Sequence, residues 1–383
     1  GTVSDLQVQP QQTAYLTLPY NLGQLLADPQ SRDVQLNIDF ALKQPEPLMQ
    51  KGQVVAYQQL PIKDYYLEKS TNPEPEMETL AWYGNLKKTS KKKDKQVTIE
   101  NQQVSISFDK QTGLMTRYVV GDVSYLADGG VLKPCFWRAV TDNDMGAGIN
   151  KKYSVWRNPA MTVKNINVQK VKLLGNNSML VTVYYDMPGV KSRMTIEYLI
   201  TTSGKVEITQ TLVPDAGAKV PGMLRYGMVM QLPYNMDKSE YFGRGPVENY
   251  ADRKFSQRFG IYQQTADEQF YPYIRPQETG TKSDMRWWKQ TGEKGMGLLV
   301  RSDKPFSASA LHYTVEDLDD GDEKEQRHIQ EVPKSKFTNL HIDGEMAGVG
   351  GIDTWSGHAE ALEEYRVPFG HKRLQFTLTP IGR

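Results

Sequence analysis

Cysteine is almost absent: Cys135 is the single thiol in 383 residues. One thiol can build neither an intramolecular disulfide framework nor a thiolate metal cluster, so the redox compartment stays open between cytoplasm and periplasm. An excess of one charge is also missing. The 46 Lys+Arg and 45 Asp+Glu leave a formal net charge of +1, and no global field draws the chain toward nucleic acid or anionic lipid. No apolar run approaches the 18 residues of a membrane helix, since the longest candidates are broken by glycine within a few positions. The first five residues lack a charged segment leading into an apolar stretch, so no signal peptide is visible, although a removed one is equally compatible. Helical stripes are missing too. No segment of 12 or more residues repeats apolar side chains at i, i+3, i+4 and i+7, and strands do not alternate with helices, which argues against a parallel βαβ architecture. The histidines, His312, His328, His341, His358 and His371, follow no metal-ligand spacing. No Gly-x-Ser-x-Gly elbow exists, and Cys135, between Pro134 and Phe136, reads as a buried small hydrophobe.

Strand signals and aromatic residues fill the space these absences leave. Val34, Leu36, Ile38, Phe40 and Leu42 alternate with polar residues as a half-buried strand requires. Val104, Ile106 and Phe108 run into Asp109-Lys110-Gln111-Thr112-Gly113 before Leu114 restarts the pattern, which predicts a hairpin. A second hairpin is predicted where Met194, Ile196, Tyr198 and Ile200 meet Val206 and Ile208 across Thr201-Thr202-Ser203-Gly204. Leu374, Phe376 and Leu378 mark a last strand. The 21 Tyr, 6 Trp and 11 Phe suit β-sheets and also surfaces that stack on sugars. At about 150 residues per domain the length predicts two or three domains. The lysines at 87, 88, 91, 92, 93 and 95 carry no interleaved Arg or aromatic residue, so they read as a solvated linker or an exposed hairpin tip rather than a polyanion patch. The expected division is a β-sandwich of immunoglobulin size over 1–85, a Lys-rich linker over 86–96 and one large β-sandwich over 97–383.

Four segments concentrate polar residues and turn formers. Residues 136–148 contain Arg138, Asp142, Asn143 and Asp144, followed by Gly146, Ala147 and Gly148. The Asp-x-Asp spacing suggests a calcium loop, but the twelfth position from Asp142 is Tyr153 instead of the required glutamate. The plainer reading is an Asx-rich turn with a mobile glycine loop behind it. Residues 241–250 hold Arg244, Glu248 and Asn249, and their Gly-x-Gly lacks the third glycine and the Lys-Ser/Thr pair of a phosphate loop, leaving a structural turn. Residues 271–280 set Arg275 and Glu278 between prolines, which is incompatible with a central strand. Residues 342–355 place four glycines within eight positions and end on Asp353 and Trp355. Glycines let the backbone approach a ligand closely, and Trp355 is either a core side chain or a flat face for the C–H side of a sugar.

In this order the four segments resemble the C-terminal region of the large β-galactosidases of glycoside hydrolase family 2, over almost the whole chain. The family patterns Arg-Ala-x-x-Asp-Asn-Asp-x-Gly, Gly-Arg-Gly-Pro-x-Glu-Asn-Tyr, Pro-Tyr-x-x-Pro-x-Glu-x-Gly and Gly-Gly-x-Asp-x-Trp look like residues 138–146, 243–250, 272–280 and 350–355. The resemblance implies an all-β chain: a partial immunoglobulin-like sandwich lacking its first strands, then a large sandwich of the galactose-mutarotase type beside a catalytic barrel. It implies that Trp355 forms a wall of the sugar site and that Gly146 opens a loop over it, with residues 146–155 as the lid. Asp142, Asn143, Asp144, Glu248 and Glu278 are expected to hold loops, as are the neighbouring motif positions Arg138, Arg244, Asn249, Arg275 and Asp353. The retaining mechanism needs two carboxylates about 5 to 5.5 Å apart; the resemblance places both on a (β/α)₈ barrel, and any divalent cation with them, so no cofactor and no hydrolysis are expected of this chain alone. Expected partners are a β-galactoside and the barrel of the same parent chain, the parent being compatible with a homo-oligomer. Two rival functions are a free-standing carbohydrate-binding module and an aldose-epimerase-like protein.

Overall fold

Alternation of apolar and polar side chains, not helical periodicity, runs through most of the long elements of the computed structural model. The structure describes residues 1–3, 6–18, 21–27, 33–63, 84–173, 176–319, 321 and 327–382, and these fall into two compact units, Gly1–Glu68 and Lys69–Arg383.

The first unit holds a six-residue helix, Leu22–Ala27, and an antiparallel pair in which Val34–Ala41 runs against Val54–Lys63. The first strand lies where alternation places it, one residue short of Leu42. Phe40, Val54, Val55 and Tyr57 are exposed, so this pair presents apolar side chains that no second layer of this unit covers among the described residues.

In the second unit antiparallel pairing passes continuously from strand to strand. One run goes through Thr162–Leu173, Asn176–Met187, Ser192–Ile200, Val206–Pro214 and Lys372–Ile381. Another goes from Leu132–Cys135 through Arg225–Pro233 to Phe337–Met346. The fifteen-residue strand Gly297–Leu311 joins them, its first half pairing with Lys372–Ile381 and its second with Phe337–Met346. Lys282–Thr291 then carries the pairing on to Lys238–Gly245 and Arg258–Thr265. Both predicted hairpins form, as Val104–Asp109 with Met115–Val120 and Ser192–Ile200 with Val206–Pro214. Gly113 holds φ at +70° in the first turn, and a Cβ there would lie 2.3 Å from the Tyr185 hydroxyl, so glycine is required twice over. Alternate residues such as Met194, Ile196, Tyr198, Ile208, Leu374 and Phe376 are buried and meet in one core, each contributing about 1.5–3 kcal/mol. Among the described residues no helix exceeds six residues, and none is long and apolar enough to cross a membrane.

The lysine-rich stretch takes the second of its two expected forms. Lys87–Lys88 pair with Gln96–Glu100, and Leu86 is buried in the core, so residues 86–96 are an exposed hairpin of the second unit rather than a linker.

Candidate functional site

The four motif segments converge on one cavity of about 390 Å³, lined by Asp142, Asn143, Glu248, Tyr273, Glu278 and Thr354 among others. Arg138 is its fixed point. Fully buried, its guanidinium donates to both oxygens of Asp144 (2.9 and 3.1 Å) and to the carbonyls of Ala347 (2.6 Å) and Gly348 (2.9 Å). It thus clamps the first motif to the glycine-rich fourth one. Asp144 is oriented in turn by a capping box: its amide donates to the Thr141 hydroxyl and its carboxylate accepts from the Thr141 amide (2.9 Å), which starts the short helix Asp142–Gly146. The Asp-x-Asp pattern therefore serves a helix cap, and among the described residues no three His, Cys, Asp or Glu side chains are placed to hold a metal ion.

Glu248 ties the second motif to the third. Its carboxylate accepts from Arg253 (2.7 Å), from the Gly280 amide (2.7 Å) and from the Tyr273 hydroxyl. Asn249, fully buried, donates to the carbonyls of Arg244 (3.1 Å) and Val247 (3.0 Å) and accepts from the Ser283 amide (3.0 Å). Arg244 itself faces the other way, donating to Asp284 (2.8 Å) and lying over the Phe259 ring. Glu278 faces Arg225 at 3.3 Å and accepts from Thr281 (2.8 Å), its pKa raised by burial against the pull of Arg225. Arg275 pairs at 2.9 Å with Asp142, which lines the cavity. The carboxylates of Glu248 and Glu278 thus each accept hydrogen bonds from protein donors on both oxygens.

Trp355 stands out of this frame. Trp137, Trp156 and Trp288 are buried, whereas Trp355 is 80% exposed. Asp353 accepts from the Trp355 amide (3.3 Å), the Ser356 amide (3.1 Å) and the Ser356 hydroxyl (2.5 Å), and the hydroxyl keeps its pKa below the usual carboxylate range. A Cβ at Gly146 would lie 2.8 Å from the Trp355 Cα and 2.9 Å from the Thr354 carbonyl, so the glycine is needed because the tryptophan's backbone rests on it. Gly148 holds φ at +69° and starts the turn Ile149–Lys152. The segment expected as a lid is folded down here: Ile149, Asn150 and Trp156 are buried, and Tyr153 donates to Glu360 (2.6 Å). Cys135 is only partly buried, and its thiol donates to the Trp137 carbonyl (3.3 Å).

Sequence reasoning missed the residues that bind the motifs from outside. Asp252 accepts from the amides of Val349 (3.1 Å) and Gly350 (2.7 Å), and a Cβ at Gly348 would lie 2.4 Å from its carboxylate. It stands two residues beyond the second motif, and that proximity is its only sequence signal. Arg225 and Asp343, paired at 3.3 Å, sit in strands whose patterns predict burial but not charge.

Together the frame and the raised tryptophan define an all-β module in which Arg138 and Asp252 brace a glycine-rich loop. Its second unit matches the family described as beta galactosidase small chain over residues 100–379, and residues 1–63 match beta-galactosidase domain 4. The chain belongs to the beta galactosidase small chain family. A beta-galactosidase of Priestia megaterium is 28% identical over 352 residues, covering 91% of this chain and 32% of that protein. One from Lactobacillus delbrueckii subsp. bulgaricus is 33% identical over 224 residues, covering 57% and 21%. The chain thus spans no more than about a third of the length of the curated relatives it matches. Among solved structures, a galactose 1-epimerase from Lactobacillus acidophilus aligns at 7% identity with a TM-score of 0.43, covering 78% of this chain and 98% of that one.

Proposed function

We propose that this chain is the supporting C-terminal part of a β-galactosidase and that it presents Trp355 as an aromatic wall to a galactoside held chiefly by the rest of the protein. The observation that carries this reading is the contrast at the fourth motif: a loop braced by Arg138, Asp252, Asp353 and Gly146 holds one large aromatic side chain out in solvent. Rigid support of an exposed ring fits a stacking surface, because a flat apolar face contributes only if it is already in place when the sugar arrives. Val247, Tyr271, Ile274 and Ile352, on the same motif loops, are exposed as well, and they suit contact with a neighbouring domain of the longer chain. The carboxylates that break the glycosidic bond, and any divalent cation they use, are assigned to that neighbour, because Glu248 and Glu278 here are committed to protein donors.

The test joins this chain to the upstream part of the Priestia megaterium relative and measures hydrolysis of nitrophenyl β-galactoside. The hybrid is expected to turn over, and Trp355→Ala to lower kcat/KM by about thirtyfold, the equivalent of about 2 kcal/mol. The 383-residue chain alone is expected to be inactive. Turnover by the chain alone, or a hybrid indifferent to Trp355→Ala, contradicts the reading.

A further inference from the structure

A larger cavity, about 460 Å³, shares no lining residue with the motif cavity. It lies over the three neighbouring strands Leu132–Cys135, Arg225–Pro233 and Phe337–Met346. Strand alternation turns Leu132, Met228, Met230, Leu340 and Ile342 into the core. The intervening residues Lys133, Val229, Gln231, Asn339 and His341 line the cavity. Register sets Lys133, Val229 and His341 side by side in one row, with Gln231 beside Asn339 in the next, rows separated by roughly 7 Å and neighbours by about 5 Å.

Among the described lining residues the formal charges cancel in two ion pairs, Lys133 with Glu316 at 3.3 Å and Arg157 with Asp319 at 3.6 Å. Three polar atoms on its floor have no partner among the described residues. The Gln231 Oε1 accepts from the Val131 amide (3.2 Å), which leaves its Nε2 unused. The Asn339 Nδ2 donates to Leu311, Tyr313 and Ser335, which leaves its Oδ1 unused. The His341 Nδ1 lies 2.7 Å from Arg225, which can only donate, so the neutral ring carries its proton on Nε2. Burial and the charge of Arg225 hold this histidine well below its ordinary pKa, so the donor persists at neutral pH. Behind it Arg225 is fixed by Glu278 and Asp343, each at 3.3 Å.

The geometry points to a binding site for a compact, neutral polyhydroxy molecule of hexose size. Two donors and an acceptor on a rigid sheet face match hydroxyl groups, each of which both donates and accepts. An anion would have to compete with the carboxylates of Glu316 and Asp319 for the two lining cations. A purely apolar ligand would leave all three polar atoms desolvated without partners, at a cost of about 1–3 kcal/mol each. The volume is at the lower end of the range for small-molecule sites, roughly 300–1,000 Å³, which suits one sugar ring better than a dinucleotide.

The test titrates D-galactose, D-glucose and, as an anion control, inorganic phosphate into the full chain by saturation-transfer NMR. Trp355→Ala is present throughout, so that the exposed ring makes no contribution. A hexose is expected to bind with a dissociation constant in roughly the millimolar range or tighter, and Gln231→Leu to weaken it by about tenfold, the loss of one hydrogen bond to a buried ligand. His341→Phe is expected to weaken it at least as much. Should that variant not fold, Gln231→Leu, checked by its thermal transition, carries the test. The proposal falls if neither hexose binds, if phosphate binds in their place, or if hexose binding survives Gln231→Leu.

Discussion

The two cavities of the second unit are built in opposite ways. Around the motif cavity, Glu248 and Glu278 take protein donors on both oxygens and Arg138 spends its guanidinium on one carboxylate and two carbonyls. Over the sheet-face cavity, Gln231, Asn339 and His341 each keep a polar atom without a partner among the described residues. The dense motifs thus mark where loops are locked together, while open hydrogen-bonding capacity lies at strand positions outside the four segments.

The largest test of this contrast is Arg138→Ala, which strands Asp144 in a buried setting; a loss of about 3–5 kcal/mol in denaturant-measured stability is expected. Arg138→Lys should not restore it, because one ammonium cannot reach a carboxylate and two carbonyls in the same plane. Gly146→Ala comes next. Its Cβ meets the backbone of Thr354 and Trp355, so the loop must shift, with about 1–3 kcal/mol lost and a changed tryptophan emission. A titration adds a third test. Lys282 is buried, its ammonium donating to the Gly280 carbonyl (2.8 Å), and burial pushes its pKa down to about 7. Below that pH the folded and unfolded chains both hold the proton and the folded one bears the cost of burying it. Between about 7 and the ordinary lysine value of about 10.4 the unfolded chain binds more protons, so Lys282 makes stability rise with pH by at most about 1.4 kcal/mol per unit. Lys282→Met should flatten that rise, as urea midpoints across the range would reveal. The smallest effect belongs to the other cavity: Gln231→Leu gives up one bond to the Val131 amide, and about 1 kcal/mol or less is expected. Comparable losses for Arg138→Ala and Gln231→Leu would erase the distinction between the two cavities.

Much of this was legible before folding. Two-residue alternation located the hairpins at Gly113 and at 201–204, because the period of a strand is local and each turn carries its own residues. The motif segments were legible as a set, yet their mutual contacts were not. Arg138 meets Ala347 across more than two hundred residues, and Asp252 reaches the fourth motif from just beyond the second. The lysine stretch was ambiguous for a related reason: linker and hairpin share a polar composition, and only pairing with Gln96–Glu100 separates them.

The sequence by itself determined an all-β chain with no intramolecular disulfide and a net charge of only +1, and its ordered motifs identified the family, since period, composition and motif order are properties of the chain alone. Tertiary structure decided which side chains the motifs serve. Trp355 and Trp288 are the same residue type, and burial of one and exposure of the other depend on what packs against them. His341, without pattern in the sequence, became an oriented donor because strand register placed Arg225 against one side of its ring and a cavity over its row of the sheet.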